Sequence, residues 1–167
     1  MQVTFIADRT LGRLAKWLRI LGFDTLYDPE APDSRLDDQC RPESVILTRT
    51  HRVRLKFRSR KHIFIKSNDP EDQLREVIKV LNLSQADARP FSRCIICNTP
   101  IEPIEKESVR NSVPDYVWET KNDFQQCPRC RKTYWHGSHT ERSLERIKSL
   151  FESQDKHKVD RSHTEFR

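Results

Sequence analysis

Four of the five cysteines fall into two C-x-x-C pairs, Cys94-Ile-Ile-Cys97 and Cys127-Pro-Arg-Cys130. Two such turns can each point two thiolates at one ion, and tetrahedral zinc takes four sulfurs at about 2.3 Å. Four thiolates leave no open coordination position, so the expected zinc is structural. The competing reading is redox chemistry. A redox C-x-x-C normally stands once, at a helix start in a βαβ setting, and neither pair stands so. Cys40 is left over and reads as an ordinary small side chain. His136 and His139, in YWHGSH behind the second pair, are weaker ligand candidates because four cysteines already suffice. That cluster, with Tyr134 and Trp135, reads either as packing on the metal module or as a surface on which bases stack.

Acids carry a second possible chemistry. Parallel α/β sheets put their sites beyond the carboxyl ends of the strands. Asp8 ends the first strand-like run, Asp28 and Asp33 follow the second, Thr50 the third, and Asp69 and Asp72 the fourth. Converging carboxylates are what magnesium or manganese needs to activate water and stabilise charge on a phosphodiester. Each acid also has a plainer reading. Asp33 and Asp69 are good helix caps, and Asp28 is a good turn residue.

Basic residues crowd the same strand ends. Between residues 52 and 66 stand Arg52, Arg54, Lys56, Arg58, Arg60, Lys61 and Lys66, with no acid among them. Arg13, Lys16 and Arg19 form a ridge on the first helical pattern, and Arg9 and Arg49 flank Asp8 and Thr50. Such a surface can track a phosphate backbone. The plainer reading is a solvated loop and a solvated helix face.

These residues need a sheet to converge on. VTFIAD, FDTLYD, SVILT and HIFIKS read as four short strands, and the uniformly apolar third suits a strand buried on both faces. Leu11, Leu14, Ala15, Leu18 and Leu21 follow the spacing of an amphipathic helix, capped by Thr10 and ended by Gly22. A short helix is expected around Leu36. DPEDQLREVIKVLNL reads as a further helix with Pro70 in its first turn and Leu74, Val77, Ile78 and Leu81 on one face. Alternating strands and helices predict a small parallel α/β domain over residues 1–83. Residues 84–92 read as a polar linker, and 93–150 as a cysteine-bearing module with a hairpin between its pairs and a closing helix. Residues 151–167 are nearly free of apolar side chains and read as a mobile basic tail.

Composition agrees with a compact, charged protein. Of 167 residues, 35% are hydrophobic and 34% charged, and 31 Lys+Arg against 25 Asp+Glu leave a net charge of +6. That balance favours an acidic partner such as nucleic acid. No apolar run approaches the roughly 20 residues of a membrane span. MQVTFIADRT lacks the basic and apolar regions of a signal peptide, so the cytoplasm, or an organelle matrix for a processed fragment, is the expected compartment.

Several stretches together carry a resemblance. FIADRTLGRLAKWLRILGFDTLYD, PDSRL, VILTRT, SNDPEDQL, FSRCIICN, VPDYV, F-x-x-C-P-R-C and YWHGSH resemble the Mut-seven C-terminal RNase domain family, in order, over residues 3–145. The resemblance implies a PIN-like three-layer α/β domain with a parallel sheet, followed by a C-terminal zinc ribbon and directed at RNA cleavage. Asp8 of ADRTLGRL matches the family's first acid, and Asp33 of PDSRL its second. The third departs: the family's L-T-R-D is Leu47-Thr48-Arg49-Thr50 here. A neutral hydroxyl is a weaker ligand than a carboxylate, so divalent-ion binding should suffer unless Asp69 or Asp72 compensates.

The expectation is an RNA-directed protein of the PIN-like ribonuclease type. Cys94, Cys97, Cys127 and Cys130 would hold structural zinc, and Arg9, Arg13, Lys16, Arg49, Arg52, Arg54, Arg58 and Arg60 would meet RNA. Asp8, Asp33 and Asp69 would hold catalytic magnesium or manganese. The alternative is a non-catalytic module that binds RNA or ribonucleoprotein with a degenerate site at Thr50. A protein-interaction adaptor using the ribbon is the weakest of the three.

Overall fold

A computed structural model describes residues 3–30, Leu36 and 41–161, of which 153–161 as backbone only. Asp33, Cys40 and the body of the helix expected around Leu36 lie outside these residues.

The β-branched and aromatic runs pair as expected. Strands β1 (Thr4–Ala7), β2 (Asp24–Leu26), β3 (Val45–Thr48) and β4 (His62–Phe64) form one sheet in the order β2-β1-β3-β4. Every pairing in it is parallel. Successive side chains point to opposite faces of a strand. Phe5, Ala7, Val45 and Leu47 therefore enter one core, while Ile6 and Ile46 enter another. Both faces are covered, which gives the three layers.

On the first face lies helix α1 (Gly12–Ile20), with Leu14, Ala15 and Leu18 buried. Its start differs from expectation. Leu11 is the N-cap and no side chain caps it, because Thr10 turns to Asp8 instead. Its end follows expectation: Gly22 has φ +88, and a Cβ there would lie 2.1 Å from the Arg89 carbonyl oxygen. Helix α3 (Pro70–Leu81) packs beside it through Leu74, Val77 and Ile78. Asp69 caps α3 by accepting from the backbone N–H groups of Glu71 and Asp72.

The second face holds a correction. The basic stretch after β3 is not an open loop but begins as helix α2 (His51–Lys56). Val53 and Phe57, four residues apart, are 1% and 2% exposed and meet Ile6, Ile46 and Leu36. Two apolar anchors among seven cations are enough to fold the segment onto the sheet, and the cations then splay outward.

After the 3-10 turn Gln85–Asp87, strands β5 (Glu102–Ile104), β6 (Phe124–Gln126) and β7 (Thr133–Trp135) form a small antiparallel sheet. The expected hairpin between the cysteine pairs exists as β5 with β6. Its connection holds the 3-10 turn Lys106–Val109 and helix α4 (Asp115–Thr120), whose Val109 and Val117 pack on Phe124. Helix α5 (Ser138–Arg161) closes the chain, and its Ile147, Leu150 and Phe151 join the first core of the parallel domain. It runs to Arg161, where composition alone suggests a mobile tail. Once anchored, a helix gains one hydrogen bond per added residue. No helix among the described residues is long and apolar enough to cross a membrane.

Candidate metal centre and strand-end cleft

The two cysteine pairs sit on nearly identical backbone turns. Cys94 N–H donates to the Thr99 carbonyl at 2.8 Å, and Asn98 N–H to the Cys94 carbonyl at 2.9 Å. Cys127 N–H donates to the Lys132 carbonyl at 3.0 Å, and Arg131 N–H to the Cys127 carbonyl at 2.9 Å. The residue after each second cysteine takes left-handed φ, +67 at Asn98 and +62 at Arg131. Asn tolerates that region well, whereas Arg must be held there by the turn's own bonds.

These turns bring all four sulfurs within 4.8 Å of one another. Cys94 Sγ lies 3.5 Å from Cys130 Sγ, and Cys97 Sγ lies 3.3 Å from Cys127 Sγ. Four sulfurs about 2.3 Å from a tetrahedral ion stand about 3.8 Å apart, so the cage has the size zinc needs. The cluster can hold a metal ion such as zinc. Tyr134 donates from its hydroxyl to Cys94 Sγ at 3.1 Å, and Ile95 N–H donates to that hydroxyl at 3.2 Å. His136 instead packs edge-on against Phe91, with centroids 6.3 Å apart.

Without a metal, so tight a set cannot ionise fully. Burial opposes ionisation of Cys97, but hydrogen bonds from Thr99 and the neighbouring thiols hold its pKa down at about 6. At Cys130 the Lys132 backbone pulls the other way, yet burial and the other three sulfurs push the thiol up to about 12. A divalent ion would displace the protons that these thiols hold.

Arg19 is the main surprise in this region. It does not belong to the basic ridge, being only 4% exposed. Its Nε donates to the Thr25 carbonyl at 3.0 Å, and its Nη1 to the carbonyls of Ile95 at 3.1 Å and Ile96 at 2.7 Å. Burial lowers its pKa, and the negative charges of Cys94, Cys97 and Asp24 push back. Asn98 adds a second tie: its Oδ1 accepts from Thr25 N–H at 3.0 Å, and its Nδ2 donates to Asp24 at 2.6 Å. The first cysteine turn is thus bonded to the edge strand β2.

At the other end of β1, Asp8 is fully buried. Its Oδ1 accepts from Thr10 N–H at 2.8 Å and Thr10 Oγ1 at 2.5 Å. Its Oδ2 accepts from Thr48 Oγ1 at 2.5 Å, Arg49 N–H at 3.0 Å and Thr50 Oγ1 at 3.3 Å. A carboxylate offers about four lone-pair sites, and these donors occupy them. At Thr50, where the resemblance leads one to expect a carboxylate, a hydroxyl hydrogen-bonds Asp8 instead.

Above Asp8 opens a cleft of about 490 Å³. Arg9, Arg13, Lys16 and Arg49 line it with Asn68 and Gln73, and no acid lines it among the described residues. Arg49 Nη2 meets Asn68 Oδ1. Arg52, Arg54, Arg58 and Arg60 do not line this cleft. They are exposed along and after α2, where the Arg54 guanidinium stacks 5.2 Å from the Phe64 ring centroid.

The remaining acids are engaged elsewhere. Asp69 is an exposed cap, Asp28 accepts from Glu30 N–H at 2.9 Å, and Asp72 pairs with Arg75 at 2.7 Å. Among the described residues, the only group of three or more potential ligands close enough to hold an ion is the cysteine cluster. The donor set around Asp8 does not by itself fit magnesium or manganese, which take several oxygen ligands. Asp33, the other acid of the expected set, lies outside the described residues.

Sequence reasoning missed Thr10, Thr48 and Asn98 as polar partners. Only the asparagine carried a signal, since it follows a C-x-x-C turn whose next residue needs left-handed backbone. The model of the Mut7-C RNAse domain matches residues 3–147. No curated protein and no solved structure matches the chain. A parallel sheet flanked by helices, a four-cysteine cage and a match over most of the length agree, and the chain belongs to the Mut7-C RNAse domain family.

Proposed function

We propose that the chain is an RNA-directed protein of the ribonuclease type, gripping the phosphate backbone of RNA in the cleft above Asp8. One observation carries this reading: four cations and two side-chain amides face one cleft at the carboxyl ends of parallel strands, and no acid lines it among the described residues. Phosphate oxygens are the partners such a surface suits, with Arg offering paired donors and Lys a point charge. Arg52, Arg54, Arg58 and Arg60 extend the basic surface on the α2 side. The four cysteines hold zinc in a purely structural role, keeping the ribbon folded against β2.

The cleft reads as a holding site first. Three threonine hydroxyls and two backbone N–H groups fix the Asp8 carboxyl group, and that arrangement orients the loops carrying Arg9 and Arg49. Metal-dependent cleavage is the second reading, favoured by the hydrogen bonds of Asp8 to Thr10 and Arg49, which line the basic cleft. It requires Asp8 and Asp33, with Asp69 turned from its capping role, to collect magnesium or manganese.

Fluorescence anisotropy of labelled single-stranded RNA across a salt series tests the first reading. Binding should weaken steeply with salt. Replacing Arg13 and Lys16 together by Gln should flatten the slope by about 1.4 units of log affinity per log salt. An unchanged slope would sink it. Gel analysis of the same RNA with manganese or with chelator tests the second, and uncut RNA in both would sink that one.

A further inference from the structure

A second, larger cleft of about 960 Å³ opens where the end of α1, the segment after α3, the small sheet and the start of α5 meet. Aromatic side chains line it, Phe91, Tyr116 and Trp135 among them. Tyr116 is 67% exposed, more than packing needs. Phe91 has φ +60, an uncommon conformation for a bulky residue that its surroundings must enforce. Its N–H donates to the Ile20 carbonyl at 2.8 Å, which ties it to the end of α1. Lys121, Lys132 and Arg93 also line the cleft, against Asp123 as the only acid among its described lining.

The two clefts share one helix. Arg13 and Lys16 line the first, and Ile20 lines the second. At 3.6 residues per turn these three positions fall within about 60° of arc, and they span about 10 Å along the axis. One exposed face of α1 therefore connects a phosphate-binding cleft to an aromatic one.

We infer that single-stranded RNA held in the basic cleft runs along this face of α1 and places unstacked bases against Tyr116, Phe91 and Trp135. This rests on the RNA-binding reading above. The strand must be single because bases in a duplex hide their faces against one another, whereas splayed bases stack on aromatic rings. Continuity with the basic cleft and the excess of cations favour RNA over a peptide as the occupant.

Two variants isolate the second cleft. Tyr116→Ala removes an exposed ring, and Phe91→Gly removes a ring while easing the left-handed backbone. Thermal melting should show both folded as wild type. Each should weaken binding of an unstructured RNA of about 16 nucleotides by about tenfold, leaving the salt slope unchanged because no phosphate contact is lost. An RNA of about 4 nucleotides, filling only the basic cleft, should bind the variants like wild type. A duplex RNA should do the same. If both variants hold the longer RNA as tightly as wild type while the Arg13 and Lys16 double variant does not, the aromatic cleft is not part of the path. That result would leave it to a peptide ligand, with the basic cleft intact. If wild type shows no salt-dependent RNA binding, both readings fall together.

Discussion

Arg19 donates from Nη1 to the carbonyl of Ile96 at 2.7 Å, and so bonds helix α1 to the turn between Cys94 and Cys97. With zinc in the cage, four thiolates would leave two net negative charges, which the buried guanidinium would partly offset. The cysteine module is in this way continuous with the parallel domain, tied to it by a cation and by Asn98.

Arg19→Gln should therefore destabilise both parts at once. The shorter neutral side chain leaves the carbonyls of Thr25, Ile95 and Ile96 short of donors, at a cost of about 3 kcal/mol. Urea unfolding should show it, and transfer of zinc to a chelator should speed up. An unfolding curve and a transfer rate both like wild type would contradict the tie.

Elemental analysis should find one zinc per chain, and Cys97→Ser should lose it and unfold the ribbon. The pH dependence follows from the sign of the shift. Cys97 is held below the ordinary thiol value, at about 6. Its contribution to stability is complete above the ordinary value near 9 and is lost as pH falls through about 6. Because zinc displaces the thiol protons, zinc should be held at neutral pH and released only in acid, as followed by a colorimetric zinc reporter. Full retention at pH 4 would contradict it.

Thr50→Asp puts a carboxylate about where the Thr50 hydroxyl now lies, 3.3 Å from Asp8 Oδ2. Two like charges at that distance, one of them buried, repel, so without metal the variant should melt lower than wild type. Manganese should restore part of the loss, because the added oxygen ligand and charge suit a hard cation. Any cleavage of single-stranded RNA should rise, and Asp8→Asn in the Thr50→Asp background should abolish the gain. Calorimetric manganese titrations identical for wild type and Thr50→Asp would rule out a damaged metal site here.

Gly22→Ala should cost well over 1 kcal/mol. The residue sits at φ +88, and its new Cβ would meet the backbone of Arg89 rather than a flexible side chain. Because Arg93 Nε also donates to the Gly22 carbonyl at 3.3 Å, the shift should propagate to the first cysteine turn. A melting temperature within a degree or so of wild type would show that the chain can move aside.

Local signals made much of this protein legible before folding. The parallel strands announce themselves as apolar β-branched runs, α3 by Asp69 and Pro70 at its start, the end of α1 by Gly22, and the metal cage by two C-x-x-C turns. Each depends on residues within a few positions of one another, so spacing along the chain already encodes the geometry. The resemblance to the RNase family was legible for the same reason.

What spacing could not decide was which partner a polar side chain finds across the fold. Arg19 follows Lys16 by three positions and shares its type, yet one is buried among carbonyls 76 and 77 residues away and the other lines an open cleft. Thr48 and Thr50 look like ordinary strand-end residues until β3 lies beside β1, when their hydroxyls close on Asp8. The basic run after β3 becomes a helix only because Val53 and Phe57 find the second face of the sheet. Tertiary structure made these decisions because burial and hydrogen-bond pairing depend on what packs nearby in space, and a linear pattern of residue types does not contain that.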